Sequence, residues 1–268
     1  DANTDPFLQS LRHSQQAALA VELATSVPAG VSASLLQIGV AEARGSGSSV
    51  TIDPGRRYAR LLAEGPVMIG RFELLGELGT GSFGYVFRAR DTGLDRVVAL
   101  KLQRAGDMAS DEDVARFLRE ARSVAQLSHP GIVSLFESGQ TEEGVCYLVT
   151  EYVEGRTLED CVNENSVPNW RTMGEQISRL ADSLDYAHQH GVIHRDVKPA
   201  NILIDSSDRP HLMDFGLALR DTGDATLTSD GRIMGTPAYM SPEQAQGNSH
   251  LVDARTDVYS LGVVMYEM

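Results

Sequence analysis

Only two of the 23 basic side chains in this 268-residue chain are lysines, Lys101 and Lys198. A compact ammonium and a planar guanidinium fork are not interchangeable. Positions that keep lysine in so arginine-rich a chain therefore stand out as places where a point charge is needed. A second feature suits anionic ligands: Gly79-Thr80-Gly81-Ser82-Phe83-Gly84 is a GxGxxG string, whose glycines let backbone N–H groups approach phosphate oxygens with no Cβ in the way. A dinucleotide-binding turn shares that string but opens a helix at its last glycine. Here Tyr85–Ala89 continues with strand-like alternation, which puts the glycines at a hairpin tip that can fold over phosphates. Cys146 and Cys161 show no CxxC or Cys/His spacing and read as reduced, buried thiols of a cytoplasmic protein. His129, His188 and His190 form no metal-like cluster.

These residues need elements to position them. Short alternating runs at Phe72–Leu75, Tyr85–Ala89 and Arg96–Leu100 predict three strands joined by Gly and Asp turns. Ser110 and Asp113 make a capping-box-like start to a helix carrying Val114, Phe117, Leu118, Ala121, Val124 and Ala125 at helical spacing. Strands follow at Ile132–Glu137 and Val145–Glu151, and then a long amphipathic helix marked by Trp170, Met173, Ile177, Leu180, Leu184 and Ala187. The order is a β-rich lobe followed by a helical one. Upstream, residues 1–70 carry six acidic and five basic side chains, whereas the formal charge of the whole chain is −14. This shift marks residues 1–70 as a leader, partly helical around Phe7, Leu8, Leu11 and Ala18, with a Gly45–Ser49 linker and one or two turns between Arg56 and Ala63.

The motifs together resemble the eukaryotic-type serine/threonine protein kinase family, and most closely its bacterial members. Val98-Ala99-Leu100-Lys101, His194-Arg195-Asp196-Val197-Lys198-Pro199-Ala200-Asn201, Asp214-Phe215-Gly216 and Ser241-Pro242-Glu243 stand in the family's order. The resemblance runs from about Arg71 to the end of the chain. It implies an α+β, two-lobed protein-kinase-like fold over residues 71–268, with the β-rich lobe at about 71–153 and a partial, mainly α-helical lobe at about 154–268. It also implies a site that moves the ATP γ-phosphoryl group to Ser or Thr hydroxyls of protein substrates with Mg²⁺.

By that resemblance Lys101 contacts the α/β-phosphates and pairs with Glu120, Asp196 is the catalytic base, and Lys198 stabilises the transferred group. Asn201 and Asp214 hold the metal, being hard oxygen donors that suit a hard cation. Leu78, Gly79, Gly81, Ser82, Phe83 and Gly84 cover the nucleotide. Val86, Ala99 and Leu203 sandwich the adenine beside gatekeeper Thr150, and Glu151 and Val153 offer its backbone edge. Lys198 together with Thr236 points to the Ser/Thr branch. Between Asp214 and Glu243, Thr222, Thr226, Thr228 and Ser229 are hydroxyls of an activation segment whose phosphorylation would pair with Arg195. Asp257 opens a buried helix that supports the catalytic loop.

Further helices normally complete the second lobe and give the residue matching Glu243 an arginine partner. The sequence therefore reads as a fragment in which Leu261, Val263, Val264 and Met265 lack their usual cover. Membrane anchoring through such a further region stays open. The competing readings are a non-catalytic ATP-binding scaffold and a small-molecule phosphotransferase. The acidic balance argues against nucleic acid as the main partner, and no apolar run reaches the about 18 residues of a membrane span. Oligomeric state is not legible.

Overall fold

Alternation along the strands divides the chain between two cores. The computed structural model describes residues 54–81, 84–103, 110–141, 143–164, 166, 168–215 and 237–268, all within one unit spanning Ile52–Met268. The leader helix around Phe7, the Gly45–Ser49 linker, Ser82, Phe83, the activation-segment hydroxyls and Thr236 lie outside the described residues. A helix α1 (Pro54–Leu62) precedes strands β1 (Val67–Ile69), β2 (Phe72–Gly81), β3 (Gly84–Asp91) and β4 (Arg96–Leu102). Helix α2 (Asp111–Val124) is followed by β5 (Leu135–Gln140) and β6 (Cys146–Glu151). All strand pairs are antiparallel, in the order β1-β2-β3-β4-β6-β5.

One face of this sheet carries Phe72, Leu74, Tyr85, Phe87, Ala89, Val98, Leu100, Leu102 and Val149 into the first core. The opposite phase puts Cys146 and Leu148 into the second core, with Phe117, Ala121 and Val124 of α2. Period-two alternation thus lets β6 serve both. The boundary expected near residue 70 falls inside the folded unit. Val67 and Ile69 are buried as β1 pairs with β2, and Tyr58, Ala59 and Leu62 of α1 pack on the first core.

The second lobe contains β7 (Gly155–Thr157), α3 (Leu158–Asn163), α4 (Trp170–Gln189), β8 (Ile202–Asp205), β9 (Pro210–Leu212), α5 (Pro242–Ala245) and α6 (Ala254–Glu267). Strands β7, β8 and β9 form a small antiparallel sheet. The two-lobed α+β arrangement expected from the resemblance is the one observed.

Capping chemistry sets the helix starts. Ser110 accepts the Asp113 N–H, Asn169 accepts those of Arg171 and Thr172, and Asp253 accepts that of Arg255. The strand expected at Ile132–Glu137 begins instead at Leu135. Ile132 makes a single parallel bridge to Leu212, and Val133 N–H is donated to the Leu212 carbonyl, so this stretch is drawn down onto β9. On α4, Trp170 is 75% exposed while polar Gln176 and Ser183 are buried, so the apolar stripe is narrower than its sequence pattern. On α6, Leu261 and Val264 are buried within the chain's own second core, contrary to the expected lack of cover. Met265 is exposed, as are Val258 and Tyr266.

Gly84 closes the β2–β3 hairpin opposite Gly81 with φ +135°. A Cβ there would stand 1.9 Å from the Leu102 carbonyl oxygen, a backbone atom that cannot swing away. Gly84→Ala is therefore expected to destabilise the unit by about 1–3 kcal/mol, seen as a lower Tm in differential scanning fluorimetry.

Candidate functional site

Residues 194–201 form a loop fastened from α6. Asp257, fully buried in the first turn of that helix, accepts the backbone N–H groups of His194 through Oδ2 and Arg195 through Oδ1, both at 2.8 Å. Its Oδ2 also meets His188 Nε2 of α4 at 2.7 Å. On the other side, Gln244 Nε2 donates to the Arg195 carbonyl at 2.7 Å. Arg195 is thereby held at φ 66°, in the left-handed region that non-glycine residues rarely enter.

His194 is buried beneath the loop, its ring 4.5 Å from that of Phe215. Its Nε2 lies 3.0 Å from the Met213 carbonyl, which can only accept, so Nε2 carries the proton and Nδ1 accepts the Asp196 N–H at 3.3 Å. Its imidazole is spent on backbone, as a packing residue's would be.

Two side chains converge on the Asp196 carboxylate. Lys198 Nζ lies 2.8 Å from Oδ2, and Asn201 Nδ2 donates to Oδ2 and to the Asp196 carbonyl, each at 2.8 Å. Because both Asn201 bonds use the amide nitrogen, its oxygen is turned the other way. The Pro199–Asn201 3₁₀ turn fixes this spacing, with Asn201 N–H donated to the Lys198 carbonyl. From the sheet, Lys101 Nζ reaches Asp214 Oδ1 at 2.9 Å. Asp214 follows β9 with φ 58°. Glu120 is half-buried on α2, one turn beyond buried Phe117.

The face of the sheet that bears Lys101 also bears Val86 and Ala99, all half-buried. Val86 stands opposite Lys101, and Ala99 opposite Thr150. Leu78 of β2 is 47% exposed and Leu203 of β8 half-buried. Gly79 pairs with Val86. Glu151 ends β6, with its N–H donated to the Ser134 carbonyl at 2.9 Å, and Val153 follows, half-buried.

Among the described residues no group of three or more His, Cys, Asp or Glu side chains is placed to hold a metal. A Mg²⁺ ion bound through one or two protein oxygens and ligand phosphates does not need one. The Asn201 amide oxygen and the Asp214 carboxylate are hard donors of that kind, so the donor set fits such an ion.

Residues 72–268 match the family described as protein kinase domain. The chain belongs to the protein kinase family. This kinase domain is 46% identical over 204 residues to the serine/threonine-protein kinase PknB of Mycolicibacterium smegmatis, covering 74% of this chain and 32% of that protein. It is 45% identical over 204 residues to PknB of Mycobacterium tuberculosis, again covering 74% and 32%. The chain thus spans about a third of the curated relatives it matches. Among solved structures, the Mycobacterium tuberculosis PknI kinase domain superposes with a TM-score of 0.60 at 30% identity, covering 74% of this chain and 74% of that one.

Some supports of the kinase domain's site were not legible in the sequence. Gln244 carries a visible signal, since Ser241-Pro242-Glu243-Gln244 is a capping box and both reciprocal bonds form at the start of α5. Its further bond to Arg195 has no local signature. Glu243 accepts the Thr256 hydroxyl at 2.6 Å, and that bond holds its carboxyl below the usual range.

Asp205 ends β8, the strand that Asn201 leads into. Burial alone would push its carboxyl up. The His211 hydrogen bond at 2.9 Å, the Arg209 and Ser207 N–H groups and the Arg209 charge more than offset this and hold it well below the ordinary carboxylate range. A depressed carboxyl contributes stability that is full above its unfolded value of about 3.9 and fades as pH falls toward the folded value. Asp205→Asn should therefore lower the urea midpoint clearly at pH 7 and progressively less between pH 4 and pH 2. A difference independent of pH would show that the ionised form is not what matters.

Among the described residues no helix is long and apolar enough to cross a membrane.

Proposed function

We propose that this chain is the catalytic domain of a serine/threonine protein kinase, which transfers the ATP γ-phosphoryl group to Ser or Thr hydroxyls of protein substrates. The observation that carries this reading is the single constellation of Asp196 with Lys198 and Asn201 at 2.8 Å, beside the Lys101–Asp214 pair at 2.9 Å. Phosphoryl transfer asks a protein chiefly to position reactants and to stabilise charge, and this set holds two carboxylates, two cations and one side-chain amide.

Asp196 accepts the proton of the attacking hydroxyl, or orients that hydroxyl, while the Asn201 amide keeps its carboxylate in register. Lys198 neutralises charge on the transferred group, and Lys101 engages the α/β-phosphates. Glu120 is the carboxylate that would steady Lys101. Asn201 and Asp214 would hold Mg²⁺, which when bound supplies charge neutralisation across the β- and γ-phosphates. Leu78, Val86, Ala99 and Leu203 would enclose the adenine, with the Glu151 carbonyl and the Val153 backbone as its polar edge. Gly79, Gly81, Ser82, Phe83 and Gly84 would cover the phosphates. Thr236 would assist Lys198 at the substrate hydroxyl. The backbone of Arg195, fixed on both sides, gives its guanidinium a rigid base from which to receive a phosphorylated activation-segment hydroxyl.

The test is Mg²⁺-dependent transfer of labelled γ-phosphate by the full-length protein to a generic protein substrate, with small-molecule alcohols as the comparison acceptors. Transfer to protein Ser and Thr, abolished by Asp196→Asn, is the expected result. Nucleotide binding without transfer to any acceptor would replace the reading with a scaffold.

A further inference from the structure

Glu243 and Gln244 are neighbours on α5 and hold two different elements. Glu243 accepts the hydroxyl of Thr256 on α6 at 2.6 Å, and Gln244 Nε2 donates to the Arg195 carbonyl at 2.7 Å. Asp257, next to Thr256 on α6, accepts the Arg195 N–H at 2.8 Å. These contacts close a ring that runs from Arg195 through Gln244, Glu243, Thr256 and Asp257 back to Arg195. Ser260 of α6 donates to the Tyr239 carbonyl at 2.8 Å, so the stretch leading into α5 is tied to the same helix.

The Gln244 amide can face only one way. The Arg195 carbonyl accepts, and the Ser241 N–H, 3.1 Å from Gln244 Oε1, donates, so the nitrogen faces the loop and the oxygen faces the helix cap. The carbonyl that Gln244 grips belongs to the peptide unit whose N–H is that of Asp196. That N–H is donated to His194 Nδ1 at 3.3 Å. A peptide unit is planar, so holding it at oxygen and nitrogen fixes the plane from which the Asp196 side chain departs. Arg195 enters this unit at φ 66°, a conformation that persists only where its surroundings over-determine it.

We propose that Gln244 is a positioning residue for phosphoryl transfer: its Nε2 donor holds the Arg195–Asp196 peptide so that the Asp196 carboxylate faces the substrate hydroxyl. The proposal deepens the kinase reading and rests on it. It gives Gln244 a task separate from its place in the capping box, and a displacement of α5 is thereby passed to the base.

Gln244→Glu separates the two tasks. Glutamate suits the third position of a capping box, so one oxygen keeps the Ser241 N–H. The other oxygen sets an acceptor against the Arg195 carbonyl when ionised and donates to it only when protonated. In the full-length protein the ratio of variant to wild-type kcat is expected to be low by up to about 10²-fold at about pH 8. It should climb toward one as pH falls toward about 5, because a carboxyl whose neutral form makes the hydrogen bond titrates above its ordinary range. The ionisable groups around the ring, Arg195, Asp196, Glu243, Arg255 and Asp257 with His188 and His194, are common to both proteins, and taking the ratio removes their own titration. Tm and affinity for a non-hydrolysable ATP analogue should match wild type. Gln244→Met, which makes neither bond, should be slow at every pH. Hydrogen exchange at the Asp196 N–H, measured without ATP at about pH 8, should be faster in the Glu variant than in wild type. A kcat ratio near one at every pH, a loss independent of pH, or unaltered exchange at Asp196 would each overturn the proposal. So would a loss of kcat that follows a fall in Tm, which assigns Gln244 to the cap alone. A wild-type protein that transfers nothing would remove the kinase reading, an outcome distinct from these because the exchange measurement needs no transfer.

Discussion

Asp196→Asn is expected to leave a folded, nucleotide-binding protein whose phosphoryl transfer is reduced by about 10²–10⁴-fold, the range assigned to a positioned base. Folding should survive because the amide keeps an oxygen where Asp196 Oδ2 now accepts from Asn201 Nδ2 at 2.8 Å. Lys198 Nζ, 2.8 Å from the same Oδ2, keeps a hydrogen bond to that oxygen but loses the charge pair, at a site that is only partly open to water. The check is kcat in steady-state kinetics of the full-length protein, with affinity for an ATP analogue measured alongside. A fall in kcat at unchanged nucleotide affinity identifies an interaction made in the transition state. Wild-type kcat in the variant would remove Asp196 from the role of base.

Asp257→Ala is expected to have the largest effect on stability of any single substitution in the second lobe. Asp257 is wholly buried and accepts from the N–H groups of His194 and Arg195 and from His188 Nε2. Alanine leaves two backbone donors in the interior without acceptors, at about 1–3 kcal/mol each. With the His188 contact also lost, the total is about 3–5 kcal/mol, a large share of the stability of a typical domain. A chemical denaturation series gives that number. Asp257→Asn separates positioning from stability: one oxygen still accepts, so most of the fold should return while the Arg195 backbone loses its partner. The expected signature is a partial recovery of Tm with transfer still depressed. Full recovery of both would show that only filling the site matters.

How far the sequence foretells this molecule depends on whether a feature is written locally. Strands β3 and β4 alternate in burial, and Tyr85, Phe87 and Ala89 are buried as that pattern requires. The α2 start is equally local, since Ser110 and Asp113 lie three residues apart and form their bond. The stretch from Ile132 is not local. Its β-rich composition reads as a strand, but the Val133 N–H goes to the Leu212 carbonyl and the Leu212 N–H to that of Gly131, some 80 residues apart in the chain, and no window around Ile132 contains that information.

The same division holds at the site. Asp196, Lys198 and Asn201 are close in sequence and meet in space. Lys101 meets Asp214 through a fold-level juxtaposition that no local pattern announces. The bond of Gln244 to Arg195, across 49 residues, was not legible at all. The membership of α1 and β1 in the first core was missed for a different reason: the change in charge density near residue 70 marks a boundary that the packing does not keep.

Arg195 and Asp214, at φ 66° and 58°, both occupy a region in which a side chain is uncomfortable. Such positions hold about 1–3 kcal/mol each against the fold, and glycine would release part of it. Selection for heat resistance alone should thus drift toward glycine at these two positions, gaining melting temperature while discarding the guanidinium and the carboxylate. If the two side chains act as proposed, a gain in melting temperature from glycine at either position comes with a loss of phosphoryl transfer.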